Sequence, residues 1–213
     1  QLFLKNHMPP GIKNEPYSLI TERSKKLMEE DYIKAAKKLG VDIVLIKTVA
    51  YVESRRNGFL KSGKPKILFE GHIFSSKTEG KYDKTHPTIS YEEWTKKFYK
   101  DDGEREYDRY NAARELNAKA AMESASWGKF QIMGFNHKAA GYATVDAFVN
   151  AMYESEANSL MAFVDFVKST KLDVLLKEKK WAAFARKYNG PLYEENEYDV
   201  KLQQAYTAFS AGG

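Results

Sequence analysis

Residues 43–74 read IVLIKTVAYVESRRNGFLKSGKPKILFEGHIF, and this stretch decides the fold. Its first half steps in helical register. Asp42 supplies an N-cap, and Ile43, Ile46, Val49 and Ala50 recur at three- and four-residue intervals. Glu53 falls seven residues after Ile46 and four after Val49, so it shares the apolar face. Asn57-Gly58 stops the helix. After a turn ending in SGKPK, the run Ile67 to Phe74 alternates with a period of two. Leu68, Glu70, His72 and Phe74 fall on one face, and Ile67, Phe69 and Ile73 on the other. The pattern predicts a strand over 67–74 with a hairpin return near Tyr82. Two carboxylates, Glu53 and Glu70, are thereby placed on two elements joined by a Gly-containing turn.

The chemistry open to each carboxylate follows from its setting. A carboxyl on the apolar face of a helix loses solvation, and the negative end of the helix dipole adds to the effect. Both favour the protonated form, which is what a general acid needs near neutral pH. The alternative for Glu53 is a frayed helix end paired with Arg55 or Arg56. For Glu70 the alternatives are a second catalytic carboxylate or a scaffold residue bonded to loop amides. Glu70 and His72 are both metal-ligating types, but His7, His86 and His137 are scattered and no HExxH motif occurs, so no metal site is expected. Glu123 precedes Ser124 and Ser126 and is suited to orienting a loop. No GxSxG, P-loop or GxGxxG pattern appears, and no cofactor is expected.

Outward from this stretch, Pro9, Pro10, Gly11 and Pro16 mark residues 1–20 as an extended lead-in, with one domain over 21–213. Helices are expected over 31–39, stopped by Gly40, over 90–99 behind a Ser-Tyr-Glu-Glu start, and over 104–121. Further helices are expected over 145–168, 172–176, from Trp181 to the Asn189-Gly190-Pro191 stop, and over 195–209. Three glycines and many aromatics make 122–142 a packed segment. The sum is a mainly α (α+β) fold with a small β element.

The 213 residues fit one domain, and 43% hydrophobic content is enough for a core. Fourteen Tyr and twelve Phe suit a sugar-binding surface, although most are expected to fill the core. The net charge of +5 admits anionic partners, but 29 acids against 34 bases and the lack of a basic run argue against nucleic acid. The absence of cysteine excludes disulfides and thiol nucleophiles. No run of 18 apolar residues is present, so no membrane span is expected, and no signal peptide is visible.

The blocks VESRRNGF (52–59), KPKILFEGHIF (64–74), YDKTHP (82–87), ESASWGKFQIMGFNHKAAGY (123–142) and FARKYNGPLYEENEYDVKL (184–202) together resemble the N-acetylmuramidase family of phage endolysins and related bacterial proteins. The resemblance runs from about residue 30 to 210. More widely, it is similar to goose-type lysozymes, lytic transglycosylases and plant-type chitinases. It implies a lysozyme-like helical domain with a small β-hairpin lobe beside a cleft. The implied substrate is peptidoglycan, cut at the β-1,4 link from N-acetylmuramic acid to N-acetylglucosamine. Glu53 matches the family's catalytic acid, and Glu70 lies where chitinase-like relatives carry a second carboxylate. Ser126, Gln131, Tyr188, Asn189 and His72 would contact the sugars, and Trp127 would either support the cleft wall or pack in the core. A monomer is expected to act on the bacterial wall, in the periplasm or outside the cell, either as a phage-encoded enzyme held in the cytoplasm until lysis or after delivery by a secretion system. Many family members carry Gly after the Glu-Ser pair, where this chain has Arg55-Arg56, and no separate wall-binding module is visible. Two alternatives are a lytic transglycosylase using Glu53 alone, and a non-catalytic protein that binds wall glycan.

Overall fold

The computed structural model describes residues 25–54 and 57–212, so the lead-in expected over 1–20 and the Arg55-Arg56 pair lie outside the described residues. Helix α1 (Glu29–Leu39) opens with the Met28 N–H donating to Asp31 Oδ2 at 2.8 Å and ends on Gly40 at φ +73°. Helix α2 (Ile43–Glu53) opens with the Leu45 N–H donating to Asp42 Oδ1 at 2.7 Å. Its buried stripe contains Ile46, Val49, Ala50 and Glu53, as the spacing requires.

Beyond α2 the path departs from the alternating pattern. Strand β1 is only Ile67–Phe69, and Gly71–Lys77 forms helix α3 with Glu70 at its N-cap position. The Phe74 N–H donates to Glu70 O, a helical i to i−4 bond. Phe69 and Phe74, placed on opposite faces by a strand, instead pack together with ring centroids 5.8 Å apart. Burying both rings is the reason the chain turns at Glu70. The partner of β1 is not near Tyr82, where the chain makes turns, but at 125–127.

The helix expected over 90–99 is absent because its capping serine is used elsewhere: Ser90 Oγ donates to Asp83 Oδ1 at 2.5 Å. The long helix expected over 104–121 is two, α4 (Gly103–Leu116) and α5 (Ala118–Glu123). Asn117 ends the first and accepts from Ala120 N–H with its side chain to cap the second. Likewise α6 (Val145–Glu154) and α7 (Glu156–Ser169) are separated at Ser155, whose Oγ accepts from Asn158 N–H. In both cases the apolar periodicity carries across a residue better suited to capping than to a helix interior.

Between α5 and α6, strands β2 (Ala125–Trp127) and β3 (Ile132–Met133) form a hairpin. β1 joins it to make an antiparallel sheet in the order β1-β2-β3, with Ile67 opposite Trp127 and Trp127 opposite Ile132. The expected mainly helical fold with a small β lobe is therefore what forms. Helices α8 (Asp173–Lys177), α9 (Trp181–Asn189) and α10 (Tyr198–Ala211) complete the chain, and α10 lies along α2 and α9. No helix among the described residues is long and apolar enough to cross a membrane.

The core runs between the hairpin and the C-terminal helices. Trp127 is fully buried, with its Nε1–H donating to Met122 O at 3.0 Å and its ring edge-on to Tyr110. Phe130 stacks on Phe163, and Tyr188 stacks on Phe184 while meeting Phe163 and Phe166 edge-on. This aromatic layer fixes α9, and hence Asn189, relative to the hairpin.

Candidate active site

Glu53 is the last residue of α2, and only 7% of its surface is exposed. The position follows from the stripe on which it lies: packing Ile46 and Val49 against the core carries Glu53 inward one turn later. Asn189, the last residue of α9, donates from Nδ2 to Glu53 Oε1 at 3.1 Å. The C-terminal ends of two helices thus meet at one carboxylate.

A cavity of about 500 Å³ opens over this pair. Glu53, Tyr188 and Asn189 line it from the helices, and Ser126 and Gln131 line it from the hairpin. Five of the seven residues named from the sequence therefore share one cleft. Within it their hydrogen bonds differ. The Ser126 hydroxyl donates to Gln131 Oε1 at 2.9 Å, and Gln131 Nε2 donates to the Lys66 and Gly128 carbonyls at 3.0 and 2.9 Å. Both amide hydrogens of Gln131 are thereby spent inside the protein, where they close the turn between β2 and β3. Gln131 itself sits at φ +50°, a conformation that these bonds hold in place. The Tyr188 hydroxyl donates to Phe130 O at 3.2 Å, and burial, followed by the Glu53 charge, pushes its pKa well up. It remains a neutral donor. Trp127 is a core residue.

Glu70 and His72 do not line this cavity; they lie beyond β1, at the start of α3. Glu70 Oε2 accepts from the Tyr99 hydroxyl at 2.7 Å and lies 3.5 Å from His72 Nδ1. The Glu70 side chain makes no capping bond to α3. Glu123 lies elsewhere, 3.4 Å from Lys77 Nζ.

Two buried carboxylates brace the site without having been singled out from the sequence. Glu106 accepts from Phe69 N–H at 3.1 Å and from Lys100 N–H at 3.0 Å, and pairs with Arg109 Nη1 at 2.6 Å. Arg109 in turn donates to Phe69 O at 3.0 Å, so the pair clamps the end of β1 just before Glu70. Glu156 accepts from Gly58 N–H at 2.8 Å, tying down the chain beyond Glu53. Glu106 and Arg109 sit one turn apart on the face that also buries Tyr110 and Ala113, and that spacing was the available signal. Glu156 follows a Ser N-cap and resembles an ordinary first-turn acid.

An N-acetylmuramidase family model matches residues 42–210. The chain belongs to the N-acetylmuramidase family. The crystal structure of the endolysin of Burkholderia phage AP3 superposes with a TM-score of 0.83 at 42% sequence identity, over 88% of this chain and 72% of that one. No match was found among curated protein sequences. As a family member the chain is a peptidoglycan-acting glycoside hydrolase.

Proposed function

We propose that this muramidase hydrolyses the β-1,4 bond between N-acetylmuramic acid and N-acetylglucosamine, with Glu53 as general acid and Glu70 as the group that positions or activates water. The observation that carries the reading is the buried Glu53 carboxyl at the cleft, oriented by the Asn189 amide. A proton passes from Glu53 to the glycosidic oxygen, the bond from that oxygen to the anomeric carbon breaks, and water adds there after giving a proton to Glu70. Asn189 and Ser126 are the polar groups placed to meet the sugars, while Gln131 and Tyr188 hold the walls. His72, 3.5 Å from Glu70, is the polar neighbour of that carboxylate at the start of α3. A carboxyl separation of roughly 6.5–9.5 Å goes with inversion and about 5–5.5 Å with retention. The substrate is expected to be met by a monomer acting on the bacterial wall.

A lytic transglycosylase would use Glu53 as acid and then base, with a sugar hydroxyl closing an anhydro ring. Digestion of purified peptidoglycan, with products read by mass spectrometry, separates the two. Hydrolysis leaves reducing muramic ends, and transglycosylation leaves anhydro ends. Glu53→Gln is expected to lose activity by about 10²–10⁴-fold, the usual contribution of a general acid. Full activity in that variant would overturn the assignment, and a wild type that binds wall but releases nothing would identify a silent glycan-binding protein.

A further inference from the structure

Residues 91–102, which form no helix or strand, deliver one side chain to Glu70. The segment is pinned at both ends by the buried pair on α4. Arg109 Nη2 donates to the Tyr91 hydroxyl at 3.1 Å, and Glu106 Oε2 accepts from Lys100 N–H at 3.0 Å. Between these pins Tyr99 donates to Glu70 Oε2 at 2.7 Å. The Arg109 guanidinium lies 5.9 Å from the Tyr99 ring centroid, within cation–π range. Burial first, then the hydrogen bond to Glu70 and its charge, raise the Tyr99 pKa, so the phenol keeps its proton at neutral pH and acts as a donor.

Glu70 sits at the N-cap position of α3, yet its carboxylate points away from the helix amides and toward Tyr99. His72 Nδ1, buried and without a hydrogen bond among the described residues, stands 3.5 Å from the same oxygen. A carboxylate with a phenol fixed on one oxygen has lost most of its freedom to rotate. The hydrogen bond spans two otherwise separate segments, and the ion pair that pins Tyr99 also clamps the strand leading to Glu70.

Resting on the role given to Glu70 above, we propose that Tyr99 is a positioning residue of the reaction, its hydroxyl fixing the direction in which the Glu70 carboxylate faces. Phe at this position keeps the ring beneath Arg109 and removes the hydroxyl that donates to Glu70 and also pairs with the Trp94 side chain. The test is a double-mutant cycle with Tyr99→Phe, Glu70→Gln and the double variant, in which kcat and KM are measured on soluble glycan-strand fragments and referred to folded protein by circular dichroism. Tyr99→Phe should lower kcat about tenfold, the scale of a hydrogen bond to a charged group, at unchanged KM. In the Glu70→Gln background the same substitution should have no further effect. A purely structural tyrosine would give the same loss in both backgrounds, and that result overturns the proposal, as does wild-type kcat in Tyr99→Phe beside a disabled Glu70→Gln. Wild-type kcat in Glu70→Gln would instead remove the role of Glu70 itself, and the proposal with it.

Discussion

The side-chain amide of Asn189 donates to Glu53 Oε1 at 3.1 Å, joining the last residues of two helices 136 positions apart in sequence. An amide nitrogen can only donate. With Glu53 as the proposed acid, this bond favours the unprotonated oxygen at Oε1 and leaves the other oxygen to carry the proton. Asn189→Ala should lower kcat on peptidoglycan by about tenfold, with little change in the unfolding midpoint because Asn189 is only half-buried. Asn189→Asp should behave differently. A second carboxyl at that distance favours the protonated form of the pair, so the alkaline limb of its pH–rate profile should move to higher pH. Profiles for both variants, with melting curves, check this.

How far the sequence revealed this pairing depends on which forces act locally. The Glu53 stripe was legible because burial of Ile46 and Val49 fixes the residue one turn later. Asp42, Gly40 and the Asn189 stop were legible because capping is a matter of neighbours in sequence. The turn at Glu70 was not, because the alternation of 67–74 fits a strand until Phe69 and Phe74 are seen to pack on each other. Nor were the roles of Glu106, Arg109 and Glu156, whose partners lie 37, 40 and 98 residues away. Local periodicity tells whether a charged residue faces inward, but it does not tell which backbone group it meets there.

Gln131 tests whether a cleft residue binds sugar or builds the wall. Its amide makes three internal hydrogen bonds, two of them to backbone carbonyls of different segments. Gln131→Ala should cost about 1–3 kcal/mol of stability, read by urea unfolding. The KM of the folded protein should change less than twofold. A tenfold rise in KM at unchanged stability would instead mark Gln131 as a sugar contact.

Glu156 is 5% exposed and serves both segments that flank α1 and α2. It accepts from Leu27 N–H at 3.1 Å and Gly58 N–H at 2.8 Å, with Lys129 Nζ at 3.6 Å. Glu156→Ala removes the acceptor of the buried Gly58 N–H and of the Leu27 N–H and breaks the pair with Lys129, and a loss of about 3–5 kcal/mol is expected, the scale of breaking a buried ion pair. Glu156→Gln keeps one acceptor oxygen and should lose less. Thermal unfolding ranks the two, and turnover should fall with Glu156→Ala even at temperatures where the protein stays folded, because Gly58 follows the helix that ends in Glu53.

Two glycines separate steric need from conformational need. A Cβ at Gly134 would stand 1.9 Å from Met122 O, a backbone atom that cannot swing aside. That carbonyl also accepts from the buried Trp127 indole at 3.0 Å. Gly134→Ala must therefore push the end of α5 away from the hairpin and break the indole bond, with overpacking and an unsatisfied buried donor adding to about 3–5 kcal/mol. For a domain of this size that is a fall on the order of 10 °C in Tm. Gly190 has φ +90° and ψ −179°, but a Cβ there would meet no atom within 4 Å, so Gly190→Ala bears only the conformational cost, about 1–3 kcal/mol. Melting curves should rank Gly134→Ala well below Gly190→Ala. The reverse order would mean that the hairpin is not seated against α5 through Gly134.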